Sequence, residues 1–86
     1  MAERQIKVTT EVGLHARPAA VFVQTAAESE DEVGLTKDGR RVNAKSILAV
    51  LGLDVRNGDE ISVDSFDETI VDRLTALVSQ APEGGS

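Results

Sequence analysis

The surroundings of His15, the only histidine in the chain, are suited to bind a phosphate. It lies in the segment Gly13 to Pro18, directly before a stretch with helical periodicity. The first N–H groups of a helix have no intrahelical acceptor and the helix dipole is positive at that end, so an anion is stabilised there. The N–H groups of Ala16 and Arg17, with the Arg17 guanidinium, can bind phosphate oxygens, and the same positive charge favours the neutral, nucleophilic imidazole. His15 is therefore a candidate phosphoryl acceptor.

Other interpretations of His15 remain open on position alone, since a histidine at a helix start can be a cap or a surface residue. One histidine without cysteine provides no His/Cys metal cluster, and no Ser-His-Asp arrangement is apparent, which argues against a metalloenzyme or a serine hydrolase. A small phosphatase of the acylphosphatase kind would need a glycine-rich phosphate loop closing with an arginine at the first helix, and none is present. We expect a protein that needs no metal or cofactor and is not itself an enzyme.

Size and charge restrict the remaining classes. A chain of 86 residues is expected to form one domain, 1–86, with a frayed tail over 81–86. The net charge of −6 opposes nucleic-acid and anionic-membrane partners. No export signal and no run of about 18 apolar residues is found, and cysteine is absent, which together favour a cytoplasmic protein. Protein and small-molecule partners remain, and we expect a monomer.

The elements that must position His15 follow from patterning in the first half of the chain. Alternation predicts a strand from Gln5 to Thr9, and helical spacing predicts a helix from Ala16 to Glu28 with Pro18 in its first turn. The segments Val33 to Lys37 and Arg40 to Asn43 are predicted to form a hairpin that turns at Asp38-Gly39.

The second half predicts two more helices and one more strand. Ser46 is expected to cap a short apolar helix that ends near Gly52, and Asn57-Gly58 to form a turn. Ile61 and Val63 indicate a fourth strand, and either Ser65 or Asp67 can cap a final helix that carries Ile70, Val71, Leu74, Leu77 and Val78. The predicted fold class is α+β, a four-stranded antiparallel sheet with three helices on one face in the order β-α-β-β-α-β-α.

Two motifs resemble those of one known family, the histidine-containing phosphocarrier protein (HPr) of the phosphoenolpyruvate-dependent sugar phosphotransferase system. The segment Gly13 to Ala19 looks like the family's phosphorylation-site signature. The segment Val42 to Ile47 looks like its second signature, around a regulatory serine. The resemblance in element order extends from about Gln5 to about Gln80. It implies an open-faced β-sandwich rather than the ferredoxin-like arrangement, a choice that periodicity leaves open.

The resemblance also implies a function. His15 would take a phosphoryl group on Nδ1 from enzyme I, with Arg17 assisting, and pass it to enzyme IIA proteins for sugar uptake. A carrier for a specialised branch, nitrogen-linked regulation or dihydroxyacetone phosphorylation, stays an alternative. A purely regulatory relative would be expected to lack His15. Ser46 in the second motif favours the sugar branch.

The second motif raises two further hypotheses. The short helix has more apolar residues than one buried stripe can use, and the family resemblance suggests an exposed docking patch of Ile47, Leu48 and Leu51, with Val50 facing the sheet. The competing interpretation places all four in the core. Ser46 resembles the target of HPr kinase/phosphorylase, although an N-cap role alone would explain a serine there.

The sequence departs from the family pattern at two positions. Val12 occupies a position where a small polar residue is common, which is expected to weaken phosphate binding or shift it to backbone N–H groups. Asp54 follows the second helix where a glycine is usual, which puts the turn geometry in doubt.

Overall fold

The computed structural model describes residues 1–9 and 16–79. Within them, the elements are β1 (Ala2–Lys7), α1 (Ala16–Ala26), β2 (Val33–Lys37), β3 (Arg40–Asn43), α2 (Ile47–Leu53), β4 (Glu60–Ser65) and α3 (Glu68–Ser79). The predicted element order is confirmed.

The strands form one antiparallel sheet in the order β1-β4-β2-β3. The central strand β4 pairs with β1 from Ala2↔Ser65 to Lys7↔Glu60, and with β2 from Val33↔Ser65 to Thr36↔Ser62. The β2–β3 hairpin turns at Asp38 (φ 52°) and Gly39 (φ 81°), both in the left-handed region that a two-residue turn of this type requires. The predicted open four-stranded sheet with three helices is confirmed.

The core lies between the sheet and the helices. Alternate strand residues, Val33 and Leu35 of β2 with Ile61 and Val63 of β4, are buried. The helices add Ala19, Phe22, Ala26, Val50, Leu53, Ile70, Val71, Leu74 and Val78. α3 packs against β1 and β4, α2 against β3, and α1 against α2 and α3. The intervening strand residues form the opposite face, which is polar: Ser62 Oγ donates to Glu3 Oε2 at 2.8 Å, and Arg41 pairs with Asp64.

The first strand begins earlier than alternation predicts. β1 starts at Ala2 and ends at Lys7, because β4 offers partners along its whole length to Ser65. Val8, the next residue, is buried and is hydrogen-bonded to the turn that precedes β4. Its N–H donates to Asp59 O at 2.8 Å, and its carbonyl accepts from Gly58 N at 2.8 Å.

The first two helices also differ from prediction. α1 ends at Ala26 rather than Glu28, since the N–H groups of Glu28 and Ser29 donate three residues back, to Thr25 and Ala26. The side chain of Ala27 is exposed, whereas that of Phe22, in the middle of α1, is fully buried. α2 continues through Gly52, near which the sequence predicted its end, and ends at Leu53 with Asp54 as its C-cap.

The third helix begins at a side-chain cap. Of the two candidates, Asp67 is the N-cap: its Oδ1 accepts from Ile70 N at 3.2 Å, and its carbonyl accepts from Val71 N. Ser65 supports it, because Ser65 Oγ accepts from Asp67 N at 3.0 Å.

Candidate functional site

Of the predicted phosphorylation site, the structure describes only the part that begins with α1. His15 and Val12 lie outside the described residues, as do the side chains of Ala16 and Arg17. α1 begins at Ala16, so its first turn starts one residue after the histidine, as the sequence predicts. The backbone N–H groups of Ala16 and Arg17 belong to that turn, where intrahelical acceptors are lacking.

Val8 and Thr9, which follow β1, are hydrogen-bonded to two other parts of the fold. Val8 bonds to the turn that precedes β4, and Thr9 N donates to Val78 O of α3 at 2.9 Å. The chain is therefore fixed at residues 8–9 on one side of the site and at the start of α1 on the other.

Ser46 caps α2, as predicted. Its backbone is extended (φ −104°, ψ 114°), and its Oγ accepts from Ala49 N at 3.3 Å. The approach to the cap is held by Asn43, whose Oδ1 accepts from Lys45 N at 2.9 Å and whose carbonyl accepts from Ser46 N at 3.0 Å. The hydroxyl of Ser46 thus lies at the N-terminal end of α2.

The apolar residues of α2 divide between core and surface. Val50 is fully buried, whereas Leu48 is 80% exposed, Leu51 39% and Ile47 37%. The exposure matches the predicted arrangement and contradicts the alternative in which all four lie in the core. We call Ile47, Leu48 and Leu51 the α2 patch.

Asp54 takes over the role of the glycine that the family pattern leads one to expect. It is the C-cap of α2 in the left-handed conformation (φ 54°, ψ 53°), and its N–H donates to Leu51 O at 3.1 Å. Its carboxylate pairs with Arg56 at 2.8 Å. The turn therefore keeps the left-handed geometry that is usual for glycine. A residue with a side chain adopts this geometry with modest strain.

Val21 and Lys37 were not singled out from the sequence. Val21 is 44% exposed on α1, the helix that packs against α2. The sequence could have indicated Val21, because it is an apolar residue that does not lie on the buried face of α1. Lys37 bonds to the end of α2, 16 and 17 residues further along the chain, and no local pattern indicates such a contact.

Metal-binding and membrane-spanning features are not found in the part of the chain that the structure describes. There, no three His, Cys, Asp or Glu side chains are placed to hold a metal ion together. The helices described are too short or too polar to cross a bilayer.

Comparison with known proteins places these features in one family. The family model described as the PTS HPr component phosphorylation site matches residues 2–80. The chain is 45% identical to the phosphocarrier protein HPr of Streptomyces coelicolor, covering 96% of this chain and 94% of that one. It is 38% identical to the HPr-like protein Crh of Halalkalibacterium halodurans, covering 92% and 94%.

Solved structures agree with the sequence comparison. The crystal structure of HPr from Bacillus anthracis superposes with a TM-score of 0.85 at 36% identity, covering 91% of this chain and 96% of that one. An HPr of Thermoanaerobacter tengcongensis, described as a dimer, superposes at 0.69 with 37% identity, covering 91% and 93%. The chain belongs to the HPr family of phosphocarrier proteins.

Proposed function

We propose that this protein accepts a phosphoryl group from phosphorylated enzyme I onto His15 and donates it to enzyme IIA components for sugar uptake. The observation that carries the proposal is the start of α1 at Ala16, directly after the only histidine of the chain. A phosphoryl group on that imidazole would lie beside first-turn N–H groups and the positive end of the helix dipole.

The chemistry is a direct transfer. The lone pair of the neutral His15 Nδ1 attacks phosphorus, the N–P bond forms as the bond from phosphorus to the donor breaks, and the donor keeps that electron pair. The N–H groups of Ala16 and Arg17, with the Arg17 guanidinium, stabilise the equatorial oxygens. Transfer to enzyme IIA is the same step with this protein as the donor.

The α2 patch is the proposed contact surface for both partners. Apolar side chains grouped on one exposed helix face gain free energy when a partner removes them from water. Leu48, 80% exposed, is the most accessible of the three. Enzyme I and enzyme IIA would dock here in turn, each bringing its own phosphoryl-transfer residue to His15.

Two other roles remain as alternatives to sugar uptake. The similarity to Crh, which is described in its solution structure as the catabolite repression HPr of Bacillus subtilis, raises a purely regulatory role, but the presence of His15 favours a carrier. A carrier for nitrogen-linked regulation or dihydroxyacetone phosphorylation would share the same chemistry. Identification of the acceptor that removes phosphate from the labelled protein distinguishes the branches.

The test is incubation with phosphoenolpyruvate and enzyme I, followed by phosphorus NMR. We expect one acid-labile phosphohistidine signal that His15→Ala abolishes with the fold intact. Arg17→Ala should slow transfer by at least about ten-fold while the matched arginine variant Arg73→Ala does not. Acid-labile phosphate retained in His15→Ala would refute the proposal.

We further propose that Ser46 is a regulatory phosphorylation site, a target for HPr kinase/phosphorylase. A phosphate there would add close to two negative charges at the edge of the α2 patch. A partner with an apolar contact surface would have to desolvate that charge, so docking would weaken while the fold is kept.

Variants at Ser46 separate the cap from the regulatory role. Ser46→Asp keeps a capping oxygen and adds charge, and we expect it to accept phosphate from enzyme I more slowly than the parent. Ser46→Ala removes the cap without charge and should cost about 1 kcal/mol of stability with little effect on transfer. Transfer by Ser46→Asp at the parental rate, with no kinase labelling of Ser46 in cell extract, would leave the serine as a cap only.

The proposed carrier works as a monomer in the cytoplasm. Carrying a phosphoryl group between two larger proteins requires the same surface to be free for each in turn. A dimer that covered the α2 patch could not perform that exchange.

A further inference from the structure

The ammonium group of Lys37 joins two segments on either side of the turn between α2 and β4. Lys37 is the last residue of β2, and its side chain is only 17% exposed. Its Nζ donates to Leu53 O at 3.2 Å and to Asp54 O at 2.8 Å, and lies 3.0 Å from Asp59 Oδ2. A lysine ammonium has three donors, and these three acceptors match them.

The first two contacts complete the C-terminal end of α2. The last carbonyls of a helix lack intrahelical donors, and a cation beside them is stabilised by the helix dipole. α2 has no basic residue in its own last turn. Lys37 supplies the cation from a neighbouring strand, next to the left-handed Asp54 that ends the helix.

The third contact reaches the turn before β4, which is bonded to Val8. Asp59 Oδ2 accepts from Arg56 N at 2.8 Å, and this bond, followed by the contact with Lys37, lowers the pKa of Asp59. In the same turn, Asp59 O accepts from Val8 N and Gly58 N donates to Val8 O. Val8 and Thr9 lead directly into residues 10–15, which contain His15.

A continuous set of contacts therefore runs from the α2 patch to Val8, which precedes the segment that contains His15. Leu51, a patch residue, accepts from the N–H of Asp54, whose carbonyl is bound by Lys37. Lys37 is bound to Asp59, and Asp59 is bonded to Val8. The two bonds that Lys37 makes on this route are charged or charge-assisted, and such bonds are shorter and stronger than neutral hydrogen bonds.

We propose that Lys37 is a positioning residue for phosphoryl transfer, which holds the α2 patch at a fixed distance and orientation from Val8 and Thr9, the residues that lead to His15. The proposal rests on the proposed carrier function. A partner docked on the patch meets His15 correctly only if the two surfaces are held together, because small displacements of reacting groups slow transfer strongly.

The test compares Lys37→Met, which keeps the length of the side chain without charge or donors, with Lys37→Arg, which restores both. Asp59→Asn removes the negative charge at the other end of the same link. Arg4→Met is the matched control, since Arg4 forms a 2.6 Å ion pair with Asp72 between β1 and α3, away from α2. Each variant is assayed for KM and kcat with phosphorylated enzyme I, for melting temperature, and for amide hydrogen exchange.

We expect Lys37→Met to lower kcat/KM by about five- to ten-fold at a temperature where the protein is fully folded. Asp59→Asn should act in the same direction, Lys37→Arg should recover most of the loss, and Arg4→Met should show none. Exchange should speed up together at the amides of Asp54, Gly58 and Val8, whose hydrogen bonds lie along the route.

Three results would overturn the proposal: an unchanged kcat/KM, an equal loss in Arg4→Met, or exchange that rises uniformly over the molecule. Hydrogen exchange does not require phosphate. If the parent protein accepts no phosphoryl group, the carrier function fails, and a missing exchange response at Val8 separately refutes the link through Lys37.

Discussion

Gly34 has no side chain, and the guanidinium of Arg41 occupies the space above it on the polar face of the sheet. The Arg41 guanidinium crosses over Gly34 to reach Asp64, with Nη2 2.9 Å from Oδ2 and Nε 3.2 Å from both carboxylate oxygens. A Cβ at Gly34 would lie 2.5 Å from Arg41 Cζ. The pair raises the pKa of Arg41, chiefly through the hydrogen bond to Asp64. Any other residue at this position would displace the guanidinium from its present place.

Replacement of Gly34 by alanine should therefore destabilise the protein through Arg41. The guanidinium would have to shift away from Gly34 and loosen its contact with Asp64, and because it is the flexible end of a 43% exposed side chain, we expect Gly34→Ala to lower the free energy of unfolding by no more than about 1 kcal/mol. In an Arg41→Ala background the same change should cost little. Urea denaturation of the parent, the two single variants and the double variant gives the coupling free energy between positions 34 and 41. If Gly34→Ala lowers the free energy of unfolding equally in both backgrounds, Arg41 is not the cause.

Asp67 gives a residue-level prediction for pH. The hydrogen bond from Ser29 Oγ, at 2.7 Å, and that from Ile70 N lower the pKa of Asp67 below its ordinary value. A lowered folded-state pKa stabilises the fold above the unfolded value of about 4, and this stabilisation is lost as pH falls through the folded value. The parent should lose melting temperature more steeply below about pH 4 than Asp67→Asn does. Parallel curves would contradict this assignment.

Among the helices, α2 combines a structural and a proposed functional face within seven residues. Val50 and Leu53 hold it to the core, while the α2 patch faces away. The two ends are fixed by different devices, the Ser46 hydroxyl at the start and Lys37 at the finish. Such a short helix owes its stability to these contacts rather than to intrinsic propensity.

A charge at Leu48 should separate docking from folding. Because Leu48 is 80% exposed, Leu48→Asp is expected to weaken binding to enzyme I by at least about ten-fold and to change the melting temperature by no more than about 2 °C. Val50→Ala on the buried face is the control and should destabilise by about 1–3 kcal/mol. Isothermal titration calorimetry and thermal melts measure both. A large loss of stability in Leu48→Asp would place that side chain in the core.

Taken as a whole molecule, the described sheet has two free edges, and both are poorly suited to pair with another chain. β3 is four residues long and begins with two arginines, Arg40 and Arg41. β1 carries three charged residues, of which Arg4 is held by Asp72. Short, charged edge strands oppose edge-to-edge association.

The whole-molecule prediction is a monomer in solution. Light scattering coupled to size-exclusion chromatography should give a mass near 9.1 kDa from about 10 µM to about 500 µM. The dimeric HPr of Thermoanaerobacter tengcongensis is a natural comparison under the same conditions. A mass twice as large, independent of dilution, would contradict the prediction.

Much of the fold could be predicted from the sequence because its signals are local. The hairpin at Asp38-Gly39 and the Ser46 cap depend on residues within about four positions of each other. The same holds for the apolar stripe of α3. The prediction that His15 precedes a helix is likewise local, and the start of α1 at Ala16 agrees with it. The two HPr-like motifs add the family, which periodicity alone does not.

Features that join distant parts of the chain were decided by the tertiary structure. The early start of β1 and the cation at the C-terminal end of α2 depend on distant partners that periodicity does not show. The strand order β1-β4-β2-β3 and the exposure of Leu48 are properties of the assembled layers. The contacts of Lys37 cross 16 to 22 positions of sequence. Local chemistry is encoded by neighbouring residues, whereas burial and pairing depend on which surfaces meet when the whole chain closes its core.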